Sequence, residues 1–157
     1  MIIKTLVATL ALSAGIGPQI NMEAPHRGPY SKQVCEAATV PREWVPWATC
    51  TLRRETGAVL HNKQSREDAN SRGGKGRWQF LTPWQRGGPY MIADRLVGFG
   101  VPRDTARAVR KQLQQTPIYE WDGHWQDILA ISVMKDGGAL RHWWGACDRL
   151  APQRGQS

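Results

Sequence analysis

The stretch "WDGHWQDILAISVMKDGG", residues 121–138, limits the fold more than any other part of the chain. Asp122 stands where an N-cap belongs, and Trp125, Ile128, Leu129, Ser132 and Val133 recur at helical spacing. Gly137 then stops the run. A helix of this kind must bury its apolar face against other elements, and the chain offers further helices to do so. In "PWATCTLRRETG" Pro46 suits a first turn, Ala48, Thr51, Leu52 and Glu55 share a face, and Gly57 is the stop. "RDTARAVRKQLQQTP" supplies Asp104 as a cap, Ala106, Val109 and Leu113 as the apolar stripe, and Pro117 as the end. Strand-like alternation is nearly absent. The expected fold class is therefore mainly α, a small helical domain with long loops.

The chain has 157 residues, enough for one domain with a sizeable core. Residues 1–14 have the layout of a secretory signal peptide: Lys4, an apolar run from Leu6 to Leu12, then Ser13 and Ala14. That run is too short to span a bilayer and no second one follows, so no stable membrane span is expected. Residues 15–39, rich in Pro, Gly and polar groups, read as a linker or N-terminal arm outside the core. The domain proper is expected over 40–150, with 151–157 a C-terminal tail. The net charge of +8 is spread along the chain and favours an anionic partner. Cys35, Cys50 and Cys147 allow one bridge with one thiol left over, and a secreted chain is expected to form it. Residue spacing alone leaves the pairing open.

Residues 62–88, "NKQSREDANSRGGKGRWQFLTPWQRGG", form a long polar stretch of the kind that is functional or disordered in a small domain. Trp78 and Trp84 within it argue for order, since large rings need something to pack on. Several chemistries are set aside by spacing. His26, His61, His124 and His142 lie too far apart in sequence to suggest a metal site. "GGKGR" lacks the phosphate-loop spacing and no nucleophile elbow occurs. Neither a metal nor another cofactor is expected.

Glu55 is the residue with the sharpest chemical reading. On the apolar face of a helix, near its C-terminal end, a carboxylate meets desolvation and the negative pole of the helix, and both oppose ionisation. That is the condition of a general acid near neutral pH. The competing reading makes Glu55 an ordinary surface residue paired with Arg53 or Arg54.

The order of these segments decides between them. Glu55, Thr56 and Gly57 after a helix, then "GGKGRWQF", then "WQDILAISVMKDGG" and the closing "WWGAC" resemble the transglycosylase domain of resuscitation-promoting factors, within the lysozyme-like superfamily. The resemblance covers about residues 44–149. It implies a small lysozyme-like helical domain, a Cys50–Cys147 bridge, and Glu55 as the catalytic acid and base. It further implies cleavage of the β-1,4 bond between N-acetylmuramic acid and N-acetylglucosamine in peptidoglycan, by a secreted or wall-associated enzyme. In the lytic outcome, Glu55 protonates the glycosidic oxygen and then takes a proton from the muramyl 6-hydroxyl, closing a 1,6-anhydro ring.

A hydrolytic muramidase would instead use a second carboxylate, for which Glu67 and Asp68 are the candidates. Trp78, Phe80, Trp84, Trp143 and Trp144 are expected to line the glycan groove, with Gln79 hydrogen-bonding the substrate or else bracing its loop. Trp125, at helical spacing with Ile128, belongs to the core. Peptidoglycan glycan strands are the expected partner. The alternatives are a non-catalytic wall-binding module and a basic nucleic-acid binder using Arg107, Arg110 and Lys111, although the signal peptide makes nucleic acid an unexpected partner.

Overall fold

Among the described residues, five helices and three short 3-10 turns are built around a sixth helix that is buried on every side. The structure, a computed structural model, describes residues 17–60 and 74–152. The signal segment 1–14, the carboxylates Glu67 and Asp68, and residues 153–157 of the tail lie outside the described residues. In chain order the helices are α1 (Ser31–Ala37), α2 (Val45–Glu55), α3 (Trp84–Gly98), α4 (Arg103–Gln115), α5 (Gly123–Lys135) and α6 (Ala139–His142). Among the described residues the extended pairing amounts to one isolated antiparallel bridge, Lys75 with Phe80. No described helix is long and apolar enough to cross a membrane.

The centre is α5. Asp122 caps it as the sequence suggests, accepting from the His124 amide at 2.8 Å. Every residue from Gly123 to Met134 is buried, so the apolar stripe read from spacing is part of a helix enclosed all round. Its polar side chains are accordingly partnered: Ser132 donates to the Ile128 carbonyl at 2.8 Å, and Gln126 Nε2 donates to the Trp121 carbonyl at 3.0 Å. Around it, α4 is strongly amphipathic, burying Thr105, Ala106, Val109 and Leu113. Asp104 does not cap this helix. Pro102, with its fixed φ, turns the chain into α4 early, and Asp104 falls inside the first turn, where it pairs with Arg107 at 3.4 Å.

Helix α3 is the element the sequence conceals, because Gly87, Gly88 and Pro89 lie inside it and read as a loop. The reason for Gly88 is proximity to α5: a Cβ there would stand 2.7 Å from Leu129 Cδ2. Trp84, read as a loop residue, opens α3 instead. The amide of Gln85 then ties this start to the end of α4, donating to the carbonyls of Leu113 at 3.1 Å and Thr116 at 2.8 Å.

The N-terminal arm also needs correcting. Ile20, Val34, Ala37 and Ala38 are buried in the same core as α5. Trp125 Nε1 donates to the Met22 carbonyl at 2.8 Å, and Arg95 Nε to the Ala37 carbonyl at 2.8 Å. The arm, which includes the short helix α1, thus packs on the core and offers one carbonyl to α5 and one to α3, a role that leaves little periodic signal.

Cys50 and Cys147 form a disulfide, and Cys35 is a half-buried free thiol. The bridge joins residues 97 apart, a loop for which chain entropy predicts about 4–5 kcal/mol, with typical measured values of about 2–4. The Cys50→Ser, Cys147→Ser double variant is expected to lose about 2–4 kcal/mol in urea denaturation, read as a lower midpoint. A midpoint unchanged from wild type would mean the packing of α2 on the 3-10 turn Asp148–Leu150 suffices without the bond.

Candidate active site

Three segments meet at the C-terminal end of α2. The first is the helix end itself, Arg54, Glu55 and Thr56. The Glu55 side chain is 22% exposed, and its Oε1 accepts from Arg54 Nη2 at 2.8 Å and Nε at 3.1 Å. The reading in which Glu55 pairs with its neighbouring arginine therefore describes a contact that the structure contains. Arg54 does more than that, since its Nη2 also donates to the Trp143 carbonyl at 3.1 Å and its Nη1 to the Trp144 carbonyl at 3.4 Å. Gly145, at φ 140°, makes this possible: a Cβ there would lie 2.6 Å from Arg54 Nη1. One guanidinium thus holds the second segment, Trp143–Gly145, beside the carboxylate, close to the Cys50–Cys147 bridge.

The third segment is the hairpin "KGRWQF", residues 75–80. Lys75 and Phe80 exchange backbone hydrogen bonds of 2.8 Å each, and Thr56 Oγ1 donates to the Arg77 carbonyl at 2.9 Å. Arg77 is wholly buried; its Nη2 donates to the Val59 carbonyl at 2.7 Å and its Nε faces Asp127 Oδ1 at 3.5 Å. Trp78 Nε1 donates to the same Asp127 oxygen at 2.8 Å, and the Arg77 amide donates to Gln126 Oε1 at 2.7 Å. This polar knot pins the hairpin to the N-terminal half of α5.

The hairpin residues expected in a sugar groove are otherwise engaged. Trp78 and Phe80 are fully buried and Trp143 nearly so, forming an edge-to-face cluster with Trp47. Trp143 Nε1 donates to the Trp78 carbonyl at 2.6 Å, which fixes it in the core. Their rings offer no open face to a pyranose. Gln79 is also buried and sits at φ 52°, with Nε2 donating to the Gly76 carbonyl at 2.8 Å, so it braces the turn. Of the eight tryptophans only Trp144 is exposed, at 76%, and Trp44 and Trp84 are half-buried. A shallow depression of about 460 Å³ lies beside the bridge, lined by Pro46, Thr49, Cys50, Arg53, Arg54 and Cys147.

Next to Phe80, His142 is enclosed by rings: stacked on Phe80 with centroids 5.7 Å apart, and edge-on to Trp84 and Trp143. Trp84 Nε1 donates to His142 Nδ1 at 3.1 Å, which requires the proton of the neutral ring on Nε2. Burial pushes its pKa from 6.5 down to about 4. The unfolded chain therefore takes up this proton at higher pH than the folded one. The stabilisation is complete above about 6.5 and is lost as pH falls toward about 4. In His142→Asn the acid limb of the denaturation midpoint is expected to flatten over that window; a limb as steep as wild type would assign the effect to other groups.

Sequence spacing missed two groupings. One is the Arg77, Gln126 and Asp127 knot, whose only trace is Gln126 and Asp127 inside an apolar run. The other is a grouping that residue spacing does not show: His26, Asp122 and His124 place one potential ligand atom each within 4.8 Å of one another. Compared with protein-family models, with curated proteins and with solved structures, the chain finds no match in any of the three.

Proposed function

We propose that this chain cleaves the β-1,4 bond between N-acetylmuramic acid and N-acetylglucosamine in bacterial peptidoglycan, as a lytic transglycosylase with Glu55 as acid and base. The observation that carries the reading is the convergence at Glu55. A partly exposed carboxylate ends a helix where the Gly-rich hairpin and the Trp-Trp-Gly segment meet, joined to the one by Thr56 and to the other by Arg54. These are the segments through which the sequence resembles the transglycosylase domain of resuscitation-promoting factors, and the bridge implied by that resemblance is formed.

In this reading Arg54 swings off Glu55 as the glycan enters, and the carboxyl proton passes to the leaving oxygen as an oxocarbenium-like state develops. The carboxylate so produced takes the muramyl 6-hydroxyl proton, the 6-oxygen closes on the anomeric carbon, and the proton count balances without water. Trp144 is the exposed ring left to stack on a sugar. The basic surface would hold the enzyme on an anionic wall polymer, and the disulfide suits an oxidising compartment outside the cell.

Mass spectrometry of soluble fragments from purified peptidoglycan tests the proposal. Anhydro-muramyl ends are expected. Reducing ends would make the enzyme a hydrolase and bring Glu67 and Asp68 into the mechanism, and a folded chain that releases nothing would leave a wall-binding module.

A further inference from the structure

A second site lies where the N-terminal arm crosses the start of α5. His26 comes from the arm, while Asp122 and His124 come from the cap and first turn of the helix. The two imidazoles lie nearly parallel, with centroids 4.9 Å apart and planes inclined at 15°. His124 Nδ1 is 2.7 Å from Asp122 Oδ1, and Asp122 and His124 are both buried. His26 Nδ1 is shielded from solvent and has no hydrogen-bond partner. An orphaned ring nitrogen beside a carboxylate-oriented histidine calls for a further group.

We propose that His26, Asp122 and His124 form a binding site for a divalent transition metal, with zinc the best match. Two imidazole nitrogens and a carboxylate oxygen are a borderline donor set that suits zinc and its neighbours and disfavours calcium and magnesium, which take oxygen ligands. The three ligand atoms fall within 4.8 Å of one another, while a tetrahedral site with bonds near 2.0–2.1 Å has edges of about 3.4 Å. His26 is only partly buried on the arm, so its side chain would turn inward to complete the set. Asp122 supplies negative charge where the positive pole of α5 would otherwise repel a cation.

The bound ion would clip the arm to the central helix, acting with the Trp125 to Met22 hydrogen bond and the buried Ile20. Three protein ligands leave a fourth position for water. The site stands independently of the glycan-cleavage reading, since none of its residues takes part in the convergence at Glu55.

The test is titration of the untagged mature protein with cobalt(II), followed by competition with zinc. One equivalent is expected to give the visible d–d bands of a low-coordinate site, which zinc then abolishes, and zinc is expected to raise the melting temperature. His26→Gln, at a half-exposed position, is expected to weaken binding by more than roughly tenfold, the loss seen even for a residue that merely supports a ligand. Asp122→Asn keeps a good helix cap and should also weaken binding, which separates coordination from folding. Absence of stoichiometric binding by the folded wild type, or binding unchanged in both variants, would overturn the proposal.

Discussion

Glu55→Gln is expected to lower the release of soluble fragments from purified peptidoglycan by about 10²–10⁴-fold, the usual contribution of a positioned general acid. The amide has the size of the carboxyl and still accepts from Arg54, so the clasp on the Trp143 and Trp144 carbonyls can persist. It cannot deliver a proton to a leaving oxygen. The stability change should be small, within about 1 kcal/mol, because the Arg54 pair is partly exposed and loss of a negative charge at a helix C-terminus is mildly favourable. Activity and stability should therefore separate cleanly. A variant that cuts as fast as wild type would return Glu55 to the role of a helix-end residue paired with its neighbour, and the search for the acid would move to Glu67 and Asp68.

How much of this could be read from the chain depends on what kind of signal each feature leaves. Helices α2, α4 and α5 were legible because an apolar stripe between a start and a stop is a local pattern. Helix α3 was not, because its Gly-Gly-Pro sequence answers to a neighbour: Gly88 admits the Leu129 side chain of α5. The arm is hidden for a related reason, since a segment of turns and one seven-residue helix packs on the core through single carbonyls and a few residues such as Ile20 and Val34. In the candidate site, the Cys50–Cys147 bridge was legible through the order of segments. The tryptophans were not, because a ring in a loop looks the same in sequence whether it faces solvent, as Trp144 does, or the core, as Trp78 and Trp143 do. The gathering of His26 with His124 across 98 residues is likewise a property of the fold and invisible in spacing.

Arg77→Met is expected to destabilise the protein by about 3–5 kcal/mol, the usual cost of breaking a buried ion pair from one side. Both side chains are fully buried, and methionine fills much of the arginine volume while removing the guanidinium that faces Asp127 and donates to the Val59 carbonyl. Asp127→Asn keeps an amide oxygen that can accept from Trp78 Nε1 but leaves the buried Arg77 guanidinium without its counter-charge, so it should cost a similar amount. Pairing Arg77→Met with Asp127→Leu should cost less than the sum of the single changes, since no uncompensated charge remains, and a double-mutant cycle of urea midpoints measures that coupling. Additive costs would show that the two residues act separately.

The same change bears on function through geometry. Arg77 joins α5 and the hairpin to Val59, four residues beyond Glu55, while the neighbouring Thr56 hydroxyl is held by the Arg77 carbonyl. Loosening that knot should let the hairpin drift from the helix end, so Arg77→Met should lose fragment release at temperatures where circular dichroism still reports a helical fold. Full activity in a folded Arg77→Met would mean that the carboxylate is positioned from the other side alone, by Arg54 and the Cys50–Cys147 bridge.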